Sequence, residues 1–387
     1  MRNRWAVLAV LFTVRLAMPF QFQSVAAVAP LLTEKFGLNL ADIGLLIGLY
    51  FTPGIALALP GGAIGQKFGD KATVLGALAL MLIGSLAMVA SDLWSWQIAG
   101  RLVAGAGGVL LNVIMSKMIT DWFAGKEIAT AMAIFGNAWP AGVAISLLIL
   151  PAIGTAAGLS AVHLSVAALI VIGIVLLALG YRAPPDAATA ATATARLDRR
   201  ALGAVIAAGS IWGLYNIGFA MIFSFGPTML VERGWTITVA GSTISIVLWL
   251  ATFGGVSGGF LSDWSKRPQV VIVAGSALFA ALLMALARSN LVIPIVIAIG
   301  AISALPSGPI LALPARVLSP ATRAIGMGIF YTMYYATMML GPPIAGAAAK
   351  WTGSAAAALD FGALVLVICP LLLWVFDRIA AERPQVA

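Results

Sequence analysis

GGAIGQKFGDK, at Gly61–Lys71, closes one long apolar run and opens the next, and GGFLSDWSKR, at Gly258–Arg267, does the same later in the chain. A shift of 197 residues lays Pro30 on Pro227, Gly44 on Gly241, Gly62 on Gly259 and Gln66 on Asp263. The chain therefore reads as two copies of one unit. In each copy a glycine-rich helix end leads through a tight charged turn into another apolar helix.

With 62% hydrophobic residues, 9% charged residues and a mean hydropathy of +1.06, the chain lies well outside the range of soluble domains. Apolar stretches near the ~20 residues needed to cross a ~30 Å hydrocarbon core recur throughout. Helices are expected, because lipid offers no partner to an unpaired backbone group. The spans read as 5–32, 41–65, 71–91, 94–119, 128–151, 160–181, 201–231, 237–262, 269–287, 290–315, 324–349 and 355–376. The expected fold class is all-α integral membrane, with twelve transmembrane helices in two parallel-repeat six-helix bundles. The first run is too long for a cleavable signal peptide and lacks a small-residue cleavage site, so it reads as the first span.

Of the 22 Lys and Arg, 16 fall in one set of loops, from Arg2 and Arg4 through Lys67, Lys71 and Arg182 to Arg378 and Arg383. The other set holds Lys35, Arg233, Arg288 and Lys350. By the positive-inside rule both termini are cytoplasmic. The net charge of +9 then follows from topology and attraction to anionic membrane lipid, and nothing asks for nucleic acid. The one cysteine, Cys369, lies inside the last apolar run, which excludes an internal disulfide and a cysteine-built metal site. No cofactor is expected. Tyr181 to Arg200, YRAPPDAATAATATARLDRR, has too little apolar surface to pack. The expected organisation is an N-terminal six-helix bundle over 1–182, a cytoplasmic linker over 183–200 and a C-terminal six-helix bundle over 201–387.

These features resemble the major facilitator superfamily over essentially the full length. Against that family's first-loop pattern, Gly-x-x-x-Asp-Arg-x-Gly-Arg-Arg, the chain keeps Gly62, Lys67, Gly69 and Lys71, with Gln66 where Asp is usual and Asp70 where a basic residue is usual. The second copy keeps Asp263, Lys266 and Arg267. Arg101-x-x-x-Gly105-x-Gly107-Gly108 fits the family's fourth-span Arg-Gly-Gly pattern. Gly136-Asn137-Ala138-Trp139-Pro140-Ala141-Gly142 is a variant of its fifth-span Gly-Pro-Gly motif, echoed at Gly341-Pro342-Pro343 and Gly346. The resemblance implies a multi-pass secondary transporter, a monomer of the bacterial inner membrane, working by alternating access with its site between the halves. It implies gating roles for Gly62, Gln66, Lys67, Gly69, Lys71, Asp263, Arg267, Arg101 and Pro140. Arg101, about two turns below the outer surface, either snorkels to water or holds a buried carbonyl. The first span, VRLAMPFQFQSVAAVAPLL, together with Trp139-Pro140, looks like the cyanate-permease and nitroimidazole-transporter branch.

Arg15 carries the functional expectation. It sits near the middle of the first span, and a guanidinium stays protonated even when buried. Asp42, Asp92 and Glu232 fall at span ends and Asp360 about a turn into the last helix, so no carboxylate lies at its depth. The expected acceptor is the substrate, a small-molecule anion; the competing reading makes Arg15 a structural tie to carbonyls loosened by Pro19 or to Gln21 and Gln23. Gln23 follows by eight residues on the same helix face. On the repeat-related seventh span Trp212, Tyr215 and Asn216 form a stripe, with Trp212 at the position matching Arg15. Tyr331, Tyr334 and Tyr335 on the eleventh span and Asn112 on the fourth complete the candidate substrate-binding set, although aromatic stripes are more often packing. No nucleotide-binding loop is present, so gradients drive transport. An enzyme would need a catalytic His, Cys or carboxylate within the spans, and His163 and Cys369 are poorly placed, so no enzymatic activity is expected. The function read from the sequence is anion transport, including exchange; the alternative is a proton-coupled exporter of neutral or weakly acidic drug-like compounds.

Overall fold

The computed structural model describes residues 3–123, 127–184, 197–319 and 322–381, and no strand occurs among them. The N-terminal half contains α1 (Arg4–Gln23), α2 (Ala29–Phe36), α3 (Leu40–Leu49), α4 (Thr52–Leu57), α5 (Gly61–Phe68), α6 (Asp70–Ala90), α7 (Trp94–Phe123), α8 (Ile128–Gly136) and α9 (Ala138–Gly180). The C-terminal half contains α10 (Arg199–Glu232), α11 (Ile237–Ser265), α12 (Pro268–Arg288), α13 (Val292–Ile302), α14 (Ser307–Ala312), α15 (Arg323–Thr352) and α16 (Ala356–Ala381).

Ten stretches among the described residues are long and apolar enough to cross a membrane. They depart from the expected spans in two places. Residues 130–180 form one continuous apolar stretch, but Gly158 has a non-helical backbone, φ 80° and ψ 176°. A side chain grown on Gly154 would meet Val162 at 3.4 Å, whereas eight residues of straight helix separate two positions by about 12 Å. The chain therefore doubles back at Gly158. The second place is α15, which has 30 residues but carries three tyrosines and two prolines, so it is less uniformly apolar.

Breaks within the first two apolar runs follow their prolines. After α1 the chain makes a single 3₁₀ turn at Ala26–Val28 before Pro30 opens α2. Pro53 sits in the first turn of α4, and Pro60 caps α5. Each break frees backbone carbonyls that something else must satisfy.

Within the halves, α6 packs on α7 and α1 on α9, while α10 packs on α15 and α16. Between the halves, α3 and α4 meet α15, and α9 meets α11. The approach is closest at the end away from the chain termini. A Cβ on Gly44 would lie 2.3 Å from the Pro342 carbonyl oxygen, and one on Gly241 2.5 Å from that of Leu147. There the buried Gln23 donates Nε2–H to the Phe223 carbonyl at 2.6 Å. That carbonyl is available because Pro227, four residues on, has no N–H to offer it. At the terminal end α5 and α8 pack chiefly within their own half.

Candidate functional site

Arg15 lies in α1 one turn before Pro19, half-buried at the meeting of α1, α7 and α8. Its Nη1 donates to the Phe135 carbonyl at 3.0 Å and its Nη2 to Asn112 Oδ1 at 3.0 Å. Phe135 occupies the last turn of α8, where the Asn137 N–H that caps the helix is shared among the carbonyls of Ala133, Ile134 and Phe135, leaving that of Phe135 free to accept from Arg15 as well. The guanidinium also rests on the Phe135 ring, 4.0 Å from its centroid. Its Nε is buried with no hydrogen-bond partner among the described residues. All these partners are neutral.

Because Asn112 Oδ1 is taken by Arg15, its Nδ2 faces the Tyr335 hydroxyl, 3.4 Å away. This contact joins α7 of the first half to α15 of the second. Tyr335 fits because its ring covers a bare glycine: a Cβ on Gly54 would lie 2.3 Å from Tyr335 Cγ. Tyr331, one helical turn before Tyr335, and Tyr334, its immediate neighbour, are half-buried. Their hydroxyls lack hydrogen-bond partners among the described residues. The three rings form one edge-on cluster, Tyr334 5.1 Å from Tyr335 and 6.5 Å from Tyr331 between centroids.

The seventh-span stripe supplies a second wall. Trp212 stacks on Tyr215 at 5.7 Å and 24° between ring planes, and its ring lies 6.3 Å from that of Tyr334. Tyr215 is buried and donates its hydroxyl hydrogen to the Ser303 carbonyl. Asn216 spends its Nδ2 on the Trp212 carbonyl at 2.7 Å, within its own helix. Gln23 shares a helix with Arg15 but is sealed at the contact with Phe223, away from this group. Two residues escaped the sequence reading: Phe135, under the guanidinium, and Phe51, whose ring lies 6.1 Å from that of Tyr334. Neither belongs to a polar or periodic pattern that would mark it.

Arg101 is fully buried at 0% exposure and points inward. Its Nε donates to the Leu46 carbonyl at 3.0 Å, and Nη1 and Nη2 donate to the carbonyls of Gln21 and Phe22 at 3.0 and 3.1 Å. It thus ties α7 to the frayed end of α1 and to α3. Gly105 and Gly108 are needed beside it, because a Cβ there would lie 2.1 Å from the Tyr50 carbonyl oxygen and 2.6 Å from its hydroxyl. His163 is buried in α9 and Cys369 in α16. Among the described residues no group of His, Cys, Asp or Glu could hold a metal ion.

The sequence pattern of the Major Facilitator Superfamily matches residues 11–335 and, a second time, 214–387. The chain belongs to that superfamily. It is a multi-pass membrane transporter and not an enzyme. The choline/ethanolamine transporter FLVCR2 of Homo sapiens is 28% identical over 155 residues, 39% of this chain and 29% of that protein. The chain thus matches less than a third of that relative's length. An uncharacterized MFS-type transporter of Mycobacterium tuberculosis is 25% identical over 363 residues, 89% of this chain and 79% of that one. A bacterial homolog of the human lysosomal transporter Spinster, in an inward-facing and unoccupied conformation, matches the fold with a TM-score of 0.75. The two are 17% identical over 99% of each chain.

The superfamily's loop motif lies at the terminal end. Gln66 and Lys67 are exposed at the close of α5, Gly62 has open space around its Cα, and Gly69 turns the chain with φ 83°. Lys71 donates to the carbonyls of Ala178 and Tyr181 at 2.7 and 3.0 Å, capping α9 within its own half. Asp70 accepts from Lys117 at 2.7 Å, and Lys117 also bonds Asp121 at 2.8 Å. In the second copy Arg267 is exposed, and the side chain of Asp263 lies outside the described residues. Pro140 is half-buried in the first turn of α9, beside the break at Asn137.

Proposed function

We propose that this superfamily member is a secondary transporter of a small organic or inorganic anion, taken up at Arg15 and moved by alternating access. Arg15 itself carries the reading: a permanent charge in the middle of a spanning helix whose partners are a carbonyl, an amide and a ring. Neutral acceptors satisfy donors without cancelling the charge. Tyr331, Tyr334 and Tyr335 offer hydroxyls from the opposite half, with Asn112 between. An anion held by both sides would draw α15 toward α1, coupling occupancy to closure. Trp212, Tyr215 and Asn216 form the adjoining wall, and Gln23 serves the contact between halves.

On this reading the chain crosses twelve times, counting the reversal at Gly158 and the passage of α15. Two six-helix bundles, 1–182 and 201–387, are joined by a cytoplasmic linker over 183–200, of which 185–196 lie outside the described residues. Both termini are cytoplasmic, the membrane is the bacterial inner membrane, and the working unit is a monomer. Arg15 with Trp139-Pro140 supports a kinship with the cyanate-permease and nitroimidazole-transporter branch. Gln66, Lys67, Gly69, Lys71, Asp263 and Arg267 serve the terminal-side gate, and Gln66, being neutral, makes the weaker of the two latches.

A cation such as the choline named for FLVCR2 would meet the charge of Arg15 with no carboxylate bonded to it among the described residues. A neutral or weakly acidic drug-like compound is favoured by one observation, the aromatic rings of Trp212, Tyr331 and Tyr334. Ligand-induced thermal shifts on the purified protein separate these readings, since a ligand that binds the folded state stabilises it. Small anions should raise the melting temperature and cations should not. Uptake into proteoliposomes should be lost in Arg15→Ala and poorly restored in Arg15→Lys, which lacks the planar fork. Normal uptake by Arg15→Ala at unchanged half-saturation refutes the anion site.

A further inference from the structure

We propose that the anion taken at this site carries a flat conjugated body, an aromatic or similarly conjugated monocarboxylate, and that Trp212 selects it. The inference rests on the anion reading above. Arg15 by itself does not distinguish a short aliphatic acid from an aromatic one; its surroundings do. Trp212 holds the position in the second half that Arg15 holds in the first, and a continuous run of contacts joins them: Arg15 bonds Asn112 at 3.0 Å, and Asn112 faces the Tyr335 hydroxyl at 3.4 Å. Tyr334 completes the link, its ring 5.1 Å from that of Tyr335 and 6.3 Å from that of Trp212 between centroids.

The indole is held from behind. Tyr215 stacks on it at 24°, and the Tyr215 hydroxyl is tied to the Ser303 carbonyl at the end of α13. Asn216 bonds the Trp212 carbonyl. Tyr215 is buried whereas Trp212 and Tyr334 are half-buried, so the surface this cluster leaves free is made of ring. A ring fixed by another ring loses little further freedom when a ligand lies on it. A planar guanidinium grips a carboxylate in its own plane, and aromatic rings prefer offset stacking at centroid separations of about 4.5–7 Å. A conjugated carboxylate uses both features at once. An aliphatic acid of the same charge leaves the indole without a partner, and a puckered ring cannot lie flat on it.

The test uses the full-length purified protein and measures affinity for benzoate, cyclohexanecarboxylate, acetate, benzyl alcohol and benzyltrimethylammonium. Wild type should bind benzoate about tenfold more tightly than cyclohexanecarboxylate, the upper range of a single aromatic contact. Trp212→Phe should keep most of that preference. Trp212→Leu should bring the ratio close to unity by lowering benzoate affinity far more than acetate affinity, with the melting temperature of each unliganded variant reporting folding. A wild-type ratio near one overturns the proposal without any variant. A ratio that survives in Trp212→Leu also overturns it. Should the carboxylates bind through Arg15 with no preference for the flat ring, this inference falls and the anion reading stands. Should benzyl alcohol or benzyltrimethylammonium match benzoate, and Arg15→Ala change nothing, both fall.

Discussion

Replacing Arg101 by methionine should weaken the fold and not merely the transport cycle. Arg101 donates to three carbonyls, but they do not depend on it equally. The Gln21 oxygen also accepts from the backbone N–H and hydroxyl of Ser24. The Phe22 oxygen, at the last turn of α1, and the Leu46 oxygen, just before α3 gives way at Tyr50, have Arg101 as their donor. Methionine fills similar length and donates nothing, leaving two buried carbonyls unpaired at about 1–3 kcal/mol each. Loss of the guanidinium's contact with the Tyr50 ring, 4.7 Å from its centroid, adds to this. Relief from burying a charge offsets part of the total. A net loss of about 3 kcal/mol is expected, a large share of the ~5–15 kcal/mol that separates folded from unfolded. Arg101→Lys keeps a donor for one or two of the carbonyls and should fall between. Thermal melting in detergent, with uptake measured on whatever remains folded, checks this. If Arg101→Met melts with wild type yet does not transport, Arg101 acts as a gate and the tie described here is wrong.

Gly54→Ala would place a methyl against the Tyr335 ring, so half-saturation for substrate should rise several-fold as the Asn112 contact loosens, while Gly62→Ala, with open space around it, should behave as wild type. Equal uptake kinetics for the two variants would count against Tyr335 as part of the site. Lys71→Met removes the cap on the last turn of α9 and should lower stability by about 1 kcal/mol with half-saturation unchanged, read by melting and uptake together. An empty carrier must occlude with Arg15 unpaired, at a desolvation cost of several kcal/mol, so vesicles preloaded with unlabelled substrate should take up label faster than empty ones. Equal initial rates in both would exclude the empty-carrier barrier.

Class and helical architecture were legible along the chain because each depends on information local to it. Lipid denies partners to backbone groups, so apolar runs of the right length must be helices. Arg15 stood out for the same reason: a charge in an apolar run is visible without its surroundings. Its partners were not, since Asn112 and Phe135 lie 97 and 120 residues away and Asn112 reaches Tyr335 across a further 223. Arg101 left open whether it reached out to water or in to carbonyls, and the choice falls inward because α1 stops at Gln23 and leaves acceptors there. Gln23 shares the helical face of Arg15 by spacing, yet Pro227 of the other half exposes a carbonyl that captures its side chain. Helical period decides which residues face the same way. Which backbone groups are left wanting, and which side chain arrives to satisfy them, is decided when the two halves pack.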